Sequence, residues 1–413
     1  IERNVERINN DMSLLIDDIL KYDFTESEIT TVIKKLKSKK GAGWDNISAE
    51  AFKYGGHAMV RIVTKICNLI ANMEHIPWHF KIGLLIPLPK GNKDISIQNN
   101  YRGITLLPVL GKIFEKCLMG RISNWSKSSS CISKVQGANQ EKCSSIHTAW
   151  LSKEVIESRN EMGKCTYVAQ LDIQKCFDSL WHKGILFKLY HAGIRGKVWR
   201  LIQMLYYDFR CKITLDGMIS DDIEIKWGIH QGAPCSMFIF MVFIDGLLNE
   251  LQEAIPGIKI AGQTINCLAF ADDVTLIATC KTDLQLLIDI AHRYSKRWQF
   301  KFNPRKCVTL AFGDSSQNIG VMLGNNTLKT VKSEPHLGSV LATCPNEENL
   351  FIQRRINECQ KMCYASLSIG SNDVPATPTV LSKLYTSAVI PKLCYGVEAL
   401  SIDERSESAM ESF

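Results

Sequence analysis

The sequence has no long apolar run. The longest uninterrupted one, Met237–Ile244, is too short to span a bilayer and stops at Asp245, so no membrane segment is expected. No two cysteines stand at C-x-x-C spacing, and among the 15 only Cys359 and Cys363 form an i, i+4 pair. With no secretory signal and no paired framework, reduced intracellular thiols are expected rather than disulfides. No internal repeat is visible. Charge of neither sign dominates: 49 Lys+Arg against 42 Asp+Glu leave +7, which reads as solubility unless the basic residues cluster. There is no initiating Met either; the chain starts at Ile1, so a piece of a longer protein is expected and the lack of a targeting signal excludes little.

What is present is ordinary globular material: 413 residues, 46% hydrophobic and 22% charged, enough for two or three packed subdomains. Thr25-x-x-Glu28 is a capping box that predicts a helix running to about Lys40. Its Lys34, Lys35, Lys37, Lys39 and Lys40 form either a solvated face or a phosphate grip. A strand is predicted over Lys81–Leu88, then a basic loop with Lys90 and Lys93, a turn at "NNYRG" and a helix through Leu110, Ile113, Phe114 and Leu118. Ser126–Lys134 reads as a polar connector. "CTYVAQLD" predicts a strand ending at Asp172, followed by an amphipathic helix stopped at Gly193. Ile223–Ile229 reads as a further strand, and the turn "HQGAPC" leads into an apolar helix to about Leu251. A helix over "TDLQLLIDIAHRYSKRWQF", a strand over "KCVTLAFG", weak strands near "HLGSVLA" and two closing helices complete the reading.

One stretch stands out. "CLAFADDVTLIA", Cys267–Ala278, puts Asp272 and Asp273 side by side inside what otherwise reads as a buried strand. Burying an ionised carboxylate is costly, and two in contact raise each other's pKa, so a cation or a function must offset the cost. On a flat strand the two side chains face opposite ways; only a tight hairpin turn at "ADD" lets both approach one point. Asp172 ends another apolar strand, and adjacent strands could bring it to the same place. Such a cluster suits hard divalent cations, which prefer oxygen ligands and keep waters for substrate phosphates. The alternative is a pair of aspartates capping a turn in water.

Read in order, the segments resemble a reverse transcriptase of the non-LTR (LINE-type) retrotransposon family. "LDIQKCFDSL" looks like motif A, "QGAPCSMFIF" resembles motif B, "FADD" the motif C hairpin, and "FNPRKC" the region of the motif D lysine. Upstream, "LIPLPKGNK" and "NYRGITLLPVLGKIFEK" resemble the branch's fingers motifs. "KKGAGWDNISAEAFKYGG" is similar to its N-terminal extension, and "PKLCYGVEAL" to its thumb region. The similarity runs from about residue 25 almost to the end.

The resemblance implies an α+β right-hand polymerase: fingers, a palm whose antiparallel sheet bears the catalytic Asp hairpin, and a helical thumb. It divides the chain into an N-terminal extension contributing to the fingers (1–80), fingers (81–164), palm (165–313) and palm end with thumb (314–413). It implies that Asp172, Asp272 and Asp273, with the Ile173 main chain, form the metal site for two Mg²⁺, with Mn²⁺ as substitute. Asp172 and Asp272 are the direct holders and Asp273 a less direct partner. Lys306 would give a proton or a charge to departing pyrophosphate. Lys90 or Lys93, with Arg102, would clasp the incoming triphosphate, Arg as a bidentate fork and Lys as a point charge. Phe177, five residues after Asp172, is either a core residue or the family's steric gate against a ribose 2′-oxygen. Gln231 and Gly232 match the motif B turn that supports the nucleotide and template base; His230 has no matched role and is taken as structural.

Two departures stand out. In motif B, Cys235 replaces a Leu and Met237 a Pro, which predicts a looser start to the following helix. The fingers stretch Q-x-G-F-R-x-G-R-S-T appears as "QGANQEKCSS", Gln136–Ser145, without its Phe and both Arg, which puts a template contact there in doubt. The implied activity is RNA-directed DNA synthesis from dNTPs on an RNA template and a DNA primer or target. A longer polyprotein with an endonuclease domain is implied, acting in the nucleus and travelling through the cytoplasm as a ribonucleoprotein. No second acidic constellation supports an RNase H domain. The rivals are an RNA-dependent RNA polymerase and a catalytically silent reverse-transcriptase-like RNA-binding module; the retained acids weigh against the latter.

Overall fold

The computed structural model describes residues 5, 6, 8, 19–91, 94–215, 217–260, 262–314, 318–367, 370–371, 374–375 and 377–411. Lys93 lies outside the described residues. Helix α1 (Glu26–Lys34) starts on the expected capping box: Glu28 N–H donates to the Thr25 hydroxyl (3.2 Å) and Thr25 N–H to the Glu28 carboxylate (2.8 Å). It ends at Lys34, not Lys40. Lys53 Nζ binds the Leu36 carbonyl and the Ser38 hydroxyl (2.9 and 3.1 Å), and Glu50 accepts the Lys39 N–H. These tertiary partners satisfy backbone that a longer helix would have bonded itself.

Helix α2 (Gly56–Met73) buries Val63, Cys67 and Ile70, one stripe at helical spacing. Strand β1 (Ile82–Pro89) follows, then β2 (Tyr101–Leu106), where the sequence suggested only a turn; its ladder with β1 overrides the local signal of Gly103. Helix α3 (Val109–Ser129) extends into the stretch expected to be a connector. Next come α4 (Ser145–Glu161), β3 (Thr166–Asp172) and α5 (His182–His191), the last stopped where Gly193 takes φ +97°. Helix α6 (Gly196–Tyr206) and β4 (Arg210–Leu215) precede α7 (Ser236–Ala254). The strand expected over Ile223–Ile229 is paired only at Ile223–Glu224; beyond it, Trp227 makes a single bridge to Trp181. Then follow β5 (Cys267–Phe270), β6 (Asp273–Ala278), α8 (Lys281–Arg297), β7 (Val308–Phe312) and β8 (Lys329–Thr330). The hairpin β9 (Ser333–His336) and β10 (Ser339–Ala342) leads to α9 (Pro345–Leu367).

The chain forms two compact units. The first comprises residues 1–133, 174–246 and 296–301. Its sheet pairs β1 antiparallel with β2 and parallel with β4, and Leu107, Phe209 and Cys211 form an apolar cluster within it. The second comprises residues 134–173, 247–295 and 302–413. Its sheet runs β8–β7–β3–β6–β5, with β3 antiparallel to both neighbours. Val155 and Ile156 of α4 pack with Val168, Ile277, Leu310 and Phe312 to cover it. A second cluster gathers Ile352, Ile356 and Cys359 of α9 against Val389 and Leu393. All 15 cysteines are free thiols, as expected. No helix among the described residues is long and apolar enough to cross a membrane.

Candidate active site: an acidic hairpin at the end of a buried sheet

Strands β5 and β6 join through Ala271 and Asp272, since Phe270 pairs with Asp273. The tight turn expected at "ADD" is therefore there. Ala271 has φ +55°, the positive value that the first central residue of a II′ hairpin turn requires and that Gly usually supplies. Across the sheet, Asp273 pairs with Asp172. The Asp172 carbonyl accepts the Asn303 N–H (2.8 Å), so the backbone polar groups of Asp172 point toward β7. Against β6, Asp172 and Asp273 are then the non-hydrogen-bonded kind of pair, the kind whose side chains come closest. By the same alternation the Ile173 carbonyl is directed to the hairpin side. Ile173 itself is buried and bridges to Phe302.

Lys306 completes the group. Its Nζ donates to Asp172 Oδ1 at 3.1 Å. The turn that presents it is made by Asn303, whose carbonyl accepts the N–H groups of Lys306 and Cys307 (3.0 Å each). The Lys306 side chain is 63% exposed, so this ion pair contributes little to stability, on the order of 0–1 kcal/mol. The Asp273 carboxyl is pushed up to about 6 by the loss of hydration against the sheet and by the like charges of Asp272 and Asp172, with Lys306 opposing. Its tip is nevertheless exposed, and a cavity of about 410 Å³ opens beside it. Asp172, Asp273, Arg305, Lys306, Lys329 and Glu334 are among the residues that line it; Asp272 is not.

Among the described residues no set of three or more His, Cys, Asp or Glu is gathered as a finished metal site. The donor chemistry nonetheless fits hard divalent cations. The donors are carboxylates and a main-chain carbonyl, their mutual repulsion is left partly uncompensated at Asp273, and a cation, Lys306, already sits on Asp172.

The remaining expected residues belong to the first unit. Lys90 and Arg102 lie at one end of the β1–β2 ladder: Leu88 pairs with Arg102, and Lys90 N–H donates to the Asn100 carbonyl (2.7 Å). Arg102 is exposed. Phe177 is half-buried, with its ring stacked on Phe240 at 5.5 Å. Gln231 Nε2 donates to Asp178 Oδ1 (3.2 Å), and Gln231 O accepts the Thr105 N–H (3.4 Å). Gly232 has φ +104°, while a Cβ there would meet nothing nearer than the Thr105 carbonyl at 3.7 Å. Within this unit Gly232 is thus required by backbone conformation, not by crowding.

The expected loosening at Cys235 and Met237 does not occur. Cys235 N–H donates to the buried carboxyl of Glu115 (3.4 Å), the Cys235 thiol to the Glu115 carbonyl (3.7 Å), and Phe238, Ile239 and Phe240 are fully buried. Burial pushes Glu115 up to about 7, opposed by the Cys235 N–H and the charge of Lys112. His230 sits in the core, its ring tilted against Phe209 (3.6 Å) and stacked on Tyr206 (4.9 Å), and burial drives it down to about 3.

Sequence reasoning missed Gln136. This residue is 0% exposed, and its side chain bonds the hairpin turn twice: Oε1 accepts the Ala271 N–H (2.8 Å) and Nε2 donates to the Ala271 carbonyl (3.3 Å). Its partner is 135 positions away, so no local pattern signals it. The one available hint was that Gln136 survives where the motif's Phe and both Arg are absent.

An acidic hairpin paired with a second strand-end acid and a lysine defines a nucleotidyl-transfer class of site. A family profile described as "Reverse transcriptase (RNA-dependent DNA polymerase)" matches residues 88–336. This chain belongs to that family, and its α+β fold is the family's right-hand polymerase fold. Members of the family use divalent metal ions. Among curated relatives, the "RNA-directed DNA polymerase from mobile element jockey" of Drosophila funebris is 25% identical over 92% of this chain and 42% of its own length. The "Retrovirus-related Pol polyprotein from type-1 retrotransposable element R2" of Popillia japonica is 26% identical over 92% of this chain and 52% of its own. The non-LTR resemblance read from the motifs therefore holds, while the chain spans about half or less of these relatives. A solved apo telomerase from Candida tropicalis aligns with TM-score 0.48 and 12% identity, over 69% of this chain and 59% of that one.

Proposed function

We propose that this chain is the RNA-directed DNA polymerase segment of a LINE-type retrotransposon, extending a primer 3′-hydroxyl with dNTPs on an RNA template. The pairing of Asp172 with Asp273, with Asp272 in the β5–β6 turn and Lys306 on Asp172, is the observation that carries this reading. Asp172 and Asp272, with the Ile173 carbonyl, would hold two Mg²⁺, or Mn²⁺ in their place, and Asp273 would tune their charge. Bound there, the ions supply activation of the primer hydroxyl and stabilisation of the leaving pyrophosphate. Lys306, within reach of the same carboxylate, gives its charge or a proton to that pyrophosphate. Arg102 and Lys90 grip the triphosphate, and the Gln231–Gly232 turn supports the base pair. The Phe177 ring fills the volume a 2′-hydroxyl would need.

In this reading residues 1–80 extend the fingers, 81–164 form them, 165–313 the palm, and 314–413 the palm end and thumb. The DNA primer is a nicked target, cut by an endonuclease domain elsewhere in a longer polyprotein. The work is done in the nucleus after passage through the cytoplasm as a ribonucleoprotein. The names of the R2 relatives as Pol polyproteins support the longer polyprotein.

Primer extension on an RNA template tests it, with dNTPs compared against rNTPs. The proposal predicts dNTP-dependent extension that Asp172→Asn reduces by about 10²–10³-fold or more. Preference for rNTPs would make the chain an RNA polymerase, and no extension under Mg²⁺ or Mn²⁺ would make it a silent binding module.

A further inference from the structure

Ala271 is a non-glycine residue in left-handed backbone, at the one position where the chain must reverse between Phe270 and Asp272. A lone residue of that kind costs free energy and persists only where its surroundings over-determine it. Here they do so from one side chain. Gln136 closes a two-bond ring on the Ala271 peptide groups, and its Oε1 also accepts the Ala138 N–H (3.1 Å). The segment around it is laid along β5: Ala269 N–H donates to the Val135 carbonyl and Gly137 N–H to the Ala269 carbonyl, both at 2.8 Å. Gly137 permits that approach, since a Cβ there would sit 2.5 Å from Thr148 Oγ1 and 3.3 Å from the Phe270 ring. The residue held, Ala271, directly precedes the Asp272–Asp273 pair.

We propose that Gln136 is a positioning residue for nucleotidyl transfer: its buried amide sets the backbone of the Ala271 turn and so the aim of Asp272 and Asp273. It touches no substrate and acts through the main chain. The idea rests on the polymerase reading above but makes its own structural claim. Met is close to Gln in length and shape but can neither donate to the Ala271 carbonyl nor accept its N–H. Glycine at 271 takes the left-handed conformation without help.

The experiment uses the full chain and compares the wild type, Gln136→Met and the double variant Gln136→Met/Ala271→Gly. Steady-state dNTP incorporation is measured together with amide hydrogen exchange. The expectation for Gln136→Met is a kcat lower by on the order of tenfold to a hundredfold, as for a small misplacement of reacting groups, with KM for dNTP little changed. Exchange should quicken at residues 269–273 and stay unchanged in α8. Ala271→Gly in that background should recover part of the kcat. Wild-type kcat in Gln136→Met, no recovery by Ala271→Gly, or faster exchange throughout the second unit would each overturn the proposal. If the wild type itself extends nothing, the polymerase reading falls. The exchange comparison then decides the structural claim alone: an Ala271 amide unaffected by Gln136→Met ends it, and a selectively loosened turn upholds it.

Discussion

Asp172 and Asp273 stand opposite one another across two strands, and each residue of the site carries a role that one substitution can remove. Phe177, stacked on Phe240, is the most exacting case, because the role proposed for it is exclusion by volume. Phe177→Ala should admit ribonucleotides, raising rNTP incorporation relative to dNTP by about 10–200-fold, the range that small changes in pocket volume produce. Unchanged discrimination in a competition assay would remove Phe177 from that role. Glu115 and His230 make a prediction of a different kind. Glu115 titrates near 7 in the folded chain against an ordinary 4.5, so between those values the folded state holds the extra proton and stability falls as pH rises. His230 is shifted down, to about 3 from 6.5, and acts oppositely: its stability contribution is lost as pH falls through that window. The two partly cancel in the wild type. Glu115→Gln removes only the first, so its Tm relative to wild type should climb between pH 5 and 7; a constant difference would refute the shift. Lys112, Cys235 and Tyr206 face the same carboxyl and stay in place in the comparison.

At the scale of elements, β3 and the β5–β6 hairpin were readable because an acid ends or interrupts an apolar run in each. β3 and the β5–β6 hairpin occur where the residues demanded them, and the doublet at 272–273 itself required a turn. Elements held by distant partners were not readable. The end of α1 is set by Lys53 and Glu50, β2 by its ladder with β1, and the course of the chain after Glu224 by the Ile225 N–H bond to the Phe209 carbonyl and the bridge from Trp227 to Trp181. Gln136 and Asn303 belong to this group: polar residues in loops whose meaning lies in a main-chain partner on another element. The segment along β5 gives a direct test. Gly137→Ala forces a Cβ against Thr148 and Phe270 and should destabilise by about 1–3 kcal/mol in denaturant unfolding. Thr148→Ala in the same chain should recover most of that loss. If Gly137→Ala is neutral, the close packing there is not as described.

On the scale of the whole molecule, the net charge of +7 is modest, and what matters is where the cations lie. Lys34, Lys35, Lys37, Lys39 and Lys40 are all exposed, which leaves them available to a polyanion. Changing all five to Gln should weaken RNA binding and flatten its dependence on log salt by up to about 0.7 for each phosphate no longer neutralised. An unchanged slope would return them to the status of a solvated face.

Beneath the proposed chemistry lies one physical assertion, that acids from β3 and from the hairpin hold a divalent cation jointly. Titrating Mn²⁺ into the full chain with a dNTP and reading free ion by electron paramagnetic resonance measures it. Tight Mn²⁺ uptake by the wild type, lost in both Asp172→Asn and Asp272→Asn, is the predicted result. Equal uptake by all three proteins would contradict it.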